Sequence, residues 1–168
     1  ENNYEYLYQI KQYAKEAGFI YYAKVAWKKG NFVSNTGRKA KNTQDVMIFS
    51  KGKARNMRID KKKTDATGRL SYMSGCNGML PTMFDVQPVS KKERIHQSEM
   101  PLQLCEQILK YVTYEGEIVL DSFAGSGVVG EAALNKGRSC ILIEILRENI
   151  EKIKTRLGQN SMFQPLLE

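Results

Sequence analysis

Apolar residues recur at two different spacings along this chain, and the switches between them lay out its elements. Leu7, Ile10, Ala14 and Ala17 fall at helical spacing, and Gly18 follows as a natural stop. Residues 19–27 are dense in aromatic and β-branched side chains, which predicts a strand. Residues 28–42 are polar and hold Gly30, Asn31, Ser34, Asn35 and Gly37, so they read as a loop. Residues 45–50 predict a second strand, ended by Lys51-Gly-Lys53.

No period is sustained over residues 54–95, where basic clusters alternate with Gly68, Gly75, Gly78, Pro81 and Pro88. So long a stretch is uncommon in a compact domain unless it has a function or moves. It reads as an inserted recognition region with a little local structure, a basic linker being the plainer alternative. Order returns at Pro101, a residue suited to the first turn of a helix. Leu102, Cys105, Ile108, Leu109 and Val112 make an apolar helical stripe, and residues 117–121 form a short apolar run expected to be a buried strand. Residues 127–136 predict a helix closed by Gly137, residues 139–144 a further buried strand, and Ile150, Ile153 and Leu157 a final helix. Strand, glycine turn, helix and strand make a βαβ unit, which predicts an α/β fold with parallel strands.

Charge changes this picture more than composition does. The 168 residues are 42% hydrophobic and 26% charged, ordinary for a globular domain, and nothing approaches a membrane span or a signal peptide. Net charge is +8, but its distribution is uneven. Residues 24–63 carry 13 Lys and Arg against only Asp45 and Asp60, which leaves the remainder slightly acidic. One basic region on a weakly acidic body is the footprint of a nucleic-acid contact surface. Cys76, Cys105 and Cys140 are isolated, so neither a disulfide framework nor a zinc site is indicated, and a reducing cytoplasm fits.

The candidate chemistry centres on Gly125-Ser-Gly127-Val-Val-Gly130, a G-x-G-x-x-G turn with Glu144 nineteen residues beyond Gly125. Such glycines let a cofactor approach the main chain, and an acidic residue ending the next strand suits ribose hydroxyls. The pattern alone admits a dinucleotide, S-adenosylmethionine or a purely structural turn. Asp121, ending the first strand, weighs toward S-adenosylmethionine: its carboxylate repels a pyrophosphate and suits a cationic amino group. Only 24 residues follow Glu144, too few for the second half of a nicotinamide fold.

Asp121-Ser-Phe-Ala-Gly-Ser-Gly127 resembles the D-P-F-x-G-S-G motif of DNA amino-methyltransferases, with Ser122 in place of proline. His96-Gln-Ser-Glu-Met-Pro101-Leu-Gln-Leu104 is similar to their H-x-[ST]-x-K-P-x-x-L element, Met100 replacing the lysine. Gly137-Arg-Ser-Cys-Ile-Leu-Ile-Glu144 resembles the stretch whose glutamate holds the ribose. The order of these elements resembles the permuted β class, whose catalytic half precedes the cofactor half. Trp27-Lys-Lys-Gly-Asn31 and residues 45–53 are looser matches to that class.

The resemblance implies a Rossmann-like S-adenosylmethionine-dependent methyltransferase fold, expected to be incomplete here, with a basic recognition insert. Its parts would be residues 1–53 on the catalytic side, 54–95 for target recognition and 96–168 for the cofactor. S-adenosylmethionine would be held by Ser98, Pro101, Asp121, Phe123, Ala124, Gly125, Gly127 and Glu144. Double-stranded DNA would meet Lys28, Asn31, Arg38, Lys39, Lys53 and Arg55. The family's catalytic [DNS]-P-P-[YFW] tetrapeptide has no counterpart, since Pro81, Pro88, Pro101 and Pro165 are all isolated. It is expected upstream of Glu1, where the chain starts without Met inside a helical pattern. No catalytic residue and no metal ligand is therefore assigned.

The implied reaction is methyl transfer to an exocyclic amine of an extruded base, adenine N6 ahead of cytosine N4. Two alternatives stand beside it: a noncatalytic nucleic-acid-binding module on a degenerate methyltransferase fold, and an RNA methyltransferase. Loss of neighbouring strands would leave a sheet edge open to self-association. Among single residues, His96 is expected to shape the cofactor pocket, Glu99 to cap the following helix ahead of contacting the cofactor, and Trp27 to anchor a core.

Overall fold

The first helical stripe becomes α1 (Asn3–Glu16), and Gly18, at φ 80°, turns the chain into β1 (Phe19–Lys28). The computed structural model describes residues 3–30, 34–35, 40–54, 62–64, 70–72, 78–90, 92, 94 and 99–158. They divide between two units, Glu1–Met57 with Pro81–Asp85, and Arg58–Leu80 with Val86–Glu168.

In the first unit β1 pairs antiparallel with β4 (Thr43–Lys51), with a register shift between Tyr21 and Ala23. Val25, Trp27 and Ile48 are buried on these strands, so Trp27 is a core residue, while Phe19 to Tyr22 remain exposed. The stretch expected to be a loop carries two short strands, β2 (Ser34–Asn35) and β3 (Ala40–Lys41), paired antiparallel. A ladder this short rests on main-chain hydrogen bonds, which side-chain patterning does not reveal.

Residues 54–95 contain three strands among the described positions. β5 (Lys62–Thr64) and β6 (Leu70–Tyr72) pair antiparallel, and β7 (Met83–Asp85) lies parallel to β1 in the sheet order β4-β1-β7. Phe84 is buried opposite Trp27 in that register.

The second unit holds the βαβ arrangement. After α2 (Leu102–Val112) come β8 (Ile118–Asp121), α3 (Val128–Asn135), β9 (Ser139–Leu142) and α4 (Arg147–Gly158). β8 and β9 are parallel and in register from Ile118↔Ser139 to Asp121↔Leu142. Cys105 and Leu109 from α2 pack with Val119, Val128, Ala132 and Ala133, and a second cluster joins Ala124, Ile153 and Leu157. Burial, and then the charge of Asp121, push the Cys105 thiol up to about 12, so it is neutral and inert at ordinary pH.

Gly130 explains how closely α3 approaches β9. A Cβ there would stand 2.7 Å from Leu142 Cδ1, so any larger residue would force the Leu142 side chain to shift. Arg138, just before β9, donates from Nε and Nη2 to the hydroxyl and carbonyl oxygens of Thr113, the C-cap of α2. A cation at that helix end also suits the helix dipole.

The expectation that β8 and β9 are buried is corrected. Val119 is buried, and Cys140 and Leu142 pack against the helices, whereas Ile118, Leu120, Ile141 and Ile143 are exposed. An apolar run fixes the affinity of both faces for cover, but here helices cover one. Among the described residues no helix is long and apolar enough to cross a membrane.

Candidate functional site

β8 delivers Asp121 to its C-terminal end, where the chain leaves the sheet. Asp121 Oδ1 accepts a 3.0 Å hydrogen bond from the Phe123 amide, the local turn that a short carboxylate side chain favours. Two main-chain bonds then stitch the turn to the segment after β9: Ile143 N donates to Asp121 O, and Ala124 N to Ile143 O. The Gly127 amide closes back on Ala124 O at 2.7 Å.

Gly127 is the N-cap of α3 and sits at φ 75°, a left-handed conformation that L side chains rarely adopt. A side chain there would also press on Ile153, 3.0 Å from its Cγ1. The three glycines thus divide their work. Gly125 and Gly127 shape the turn, and Gly130 lets helix and strand close together.

Glu144 follows β9 and reaches back to the same turn. Its Oε2 accepts from the Gly125 amide and its Oε1 from the Leu146 amide, both at 2.8 Å. Hydrogen bonds to the ionised form, Leu146's first and then Gly125's, hold this carboxyl below the usual range. Glu144 is therefore ionised at neutral pH, and it braces the glycine turn as well as facing the strand end.

Six of the expected cofactor residues meet here: Asp121, Phe123, Ala124, Gly125, Gly127 and Glu144. Ala124 is buried beneath the turn, whereas the Phe123 ring is 90% exposed, an uncovered aromatic surface at the mouth of the site. Pro101 is buried at the N-cap of α2, and Ser98 and His96 lie outside the described residues. Among the expected nucleic-acid contacts, Lys28 places its ammonium 2.7 Å from Asp85, and Lys53 is exposed after β4. Asn31, Arg38, Lys39 and Arg55 lie outside the described residues.

Glu99 corrects its expected role. No side chain caps α2, and Glu99 instead accepts from Arg156 Nη2 at 2.5 Å. Removing a buried carboxylate from water requires a charged partner, and α4 supplies it. Arg156, Ser126 and Asn149 are the polar residues of this region that the sequence analysis does not single out. A signal for Arg156 exists: with Ile153 and Leu157 it shares the i, i+3, i+4 stripe that α4 turns inward. No cluster of His, Cys, Asp and Glu suited to a metal ion occurs among the described residues.

Residues 1–155 match the DNA methylase family. The Type II methyltransferase M.BglI of Bacillus subtilis is 28% identical over 141 residues, 80% of this chain and 38% of that protein. M.HpaI of Haemophilus parainfluenzae, also a Type II methyltransferase, is 27% identical over 156 residues, covering 90% and 49%. The chain thus spans less than half the length of these two curated relatives. The crystal structure of an M1.HpyAVI–SAM complex is similar at a TM-score of 0.70 and 26% identity, covering 92% of this chain and 70% of that one. The cytosine-N4-specific PvuII DNA methyltransferase shares the fold at a TM-score of 0.67 and 17% identity, covering 98% and 58%. The α/β fold expected from the βαβ unit, and the methyltransferase fold implied by the resemblance, are therefore present, and the chain belongs to the DNA methylase family.

Proposed function

We propose that this chain is the cofactor-binding side of a site-specific, permuted DNA amino-methyltransferase, with S-adenosylmethionine held at the turn between β8 and α3. The observation that carries the reading is the meeting of Asp121, Phe123, Gly125, Gly127 and Glu144 at the C-terminal ends of two parallel strands. Ligands of open α/β sheets bind at such ends. The glycine cradle, the uncovered Phe123 ring and the ionised Glu144 fit this cofactor.

Asp121 takes the amino group of the methionine moiety, Glu144 the ribose hydroxyls, and Phe123 covers an apolar face. Ala124, Gly125 and Gly127 set the main-chain surface, and Ser98 and Pro101 are assigned to the same cofactor by their match to the family's upstream element. When bound, the cofactor supplies a methyl group on a cationic sulfur. The chain's part is to hold that methyl in line with the exocyclic nitrogen of an extruded base, adenine N6 first and cytosine N4 second. The base itself is gripped by a [DNS]-P-P-[YFW] tetrapeptide, which none of the four isolated prolines provides.

Residues 1–53 serve the catalytic side, 54–95 target recognition and 96–168 the cofactor. Lys28, Asn31, Arg38, Lys39, Lys53 and Arg55 meet the phosphates of double-stranded DNA. The exposed aliphatic side chains of β8 and β9 support self-association, and the cytoplasm is the compartment of a DNA-modifying enzyme. Isothermal calorimetry tests the cofactor assignment. Asp121→Ala and Glu144→Ala each weaken S-adenosylmethionine binding by roughly tenfold or more, the cost of a lost hydrogen bond to a charged group. A folded chain that binds no cofactor overturns the reading. Methylation of duplex DNA by the chain alone contradicts the assignment of base chemistry elsewhere, and preference for structured RNA contradicts the substrate.

A further inference from the structure

Arg156 carries a partly buried guanidinium that the proposed reaction does not use. It projects from the last turn of α4, its side chain 15% exposed, and all three donor directions are engaged. Nη1 donates to the carbonyl of Ser126 at 2.8 Å, inside the glycine turn. Nη2 meets Glu99 at 2.5 Å, and Nε meets Glu131 of α3 at 2.8 Å. Glu99 is 2% exposed and lies just before α2. One side chain thus joins four separate pieces of the second unit: the approach to α2, the turn, α3 and α4.

The charges are unequal, since one guanidinium faces two carboxylates. Glu99 and Glu131 beside the turn, with Asp121 at the strand end, set carboxylates around it. A cationic ligand is favoured by such a field and a pyrophosphate is not. The Ser126 carbonyl has a second consequence. Gripped by Arg156, it fixes the peptide leading into Gly127, whose left-handed backbone would otherwise have other choices.

We propose that Arg156 is a positioning residue for the amino-acid end of the cofactor, acting through the Ser126 carbonyl and the Glu99 and Glu131 carboxylates. The inference rests on the S-adenosylmethionine reading above. It assigns a role to a residue one position beyond the stretch matched to the family. Lysine cannot reproduce it, because an ammonium lacks the planar fork that reaches three acceptors at once.

The test compares two ligands. S-adenosylhomocysteine carries the amino-acid group, and 5′-methylthioadenosine keeps the adenosine and sulfur but lacks it. Calorimetry on the full chain measures both for wild type, Arg156→Lys and Glu131→Gln, with circular dichroism establishing the fold of each. Arg156→Lys is expected to weaken S-adenosylhomocysteine by roughly tenfold or more while methylthioadenosine changes less than about twofold. Glu131→Gln leaves the Arg156–Glu99 pair intact and gives the same split on a smaller scale, so it decides the matter if Arg156→Lys does not fold. Equal losses for both ligands, or no loss for either, overturn the proposal. Wild type that binds neither ligand overturns the cofactor reading itself, and this role with it.

Discussion

The β8–β9 pair has two faces of similar chemistry and opposite surroundings. On one, Val119 is buried against α2 and α3, and Cys140 and Leu142 pack beside it. On the other, Ile118, Leu120, Ile141 and Ile143 remain exposed. Strand alternation decides which residues share a face, but only covering elements make a face dry. The unit therefore draws its stability from one side of its sheet, and the glycine turn stands at the end of that sheet. The uncovered side contributes little to folding, and its exposed aliphatic side chains are the surface on which the proposed self-association rests.

The packed side should break most severely. Leu157→Ala, at a position with no exposure, is expected to cost about 2–5 kcal/mol in urea denaturation. Leu120→Ala, on the uncovered face, should stay within about 0.5 kcal/mol. Similar losses at the two positions would contradict the comparison. Gly130→Ala comes next. Its new methyl meets Leu142 at the 2.7 Å approach of the ideal Cβ, and overpacking of this kind costs about 1–3 kcal/mol, read in the same experiment.

A smaller effect is expected from pH. Glu144 is held below its ordinary value of 4.5, so it binds protons less readily folded than unfolded. Its stabilisation is complete above that value and is lost as pH falls through the lower, folded one. Melting temperature followed from pH 6 downward (roughly the range where carboxylates titrate) should fall less steeply in Glu144→Gln than in wild type. Identical slopes would remove Glu144 as a brace of the turn. The smallest effect on folding belongs to the pair Leu120→Ser and Ile143→Ser. It should leave denaturation within about 0.5 kcal/mol per site yet reduce self-association measured by light scattering. Unchanged association places any contact elsewhere.

Much of the second unit is legible in the sequence because its signals are local. The stripe from Leu102 to Val112, the glycines at 125, 127 and 130, and the stop at Gly137 each act within a turn or two. The polar network is a different case. Arg156 meets Glu99 and Ser126 across separations of 57 and 30 residues, so no local rule pairs them, and Glu99 reads equally well as a helix cap. The charge on α4's inward stripe marks Arg156 as unusual but does not name its partners. The uncovered face of β8–β9 is hidden for a related reason. Ile118 and Val119 have the same propensities, and only the placement of α2 and α3 separates them.

The central claim is that the turn from Asp121 to Gly127 receives S-adenosylmethionine. Its most direct test is a titration of the glycine-¹⁵N-labelled chain followed by two-dimensional NMR. The Gly125 and Gly127 amides are expected to shift with saturable, equal affinity while Gly18 and Gly52, in the first unit, do not. Saturating cofactor that leaves Gly125 and Gly127 in place would contradict it.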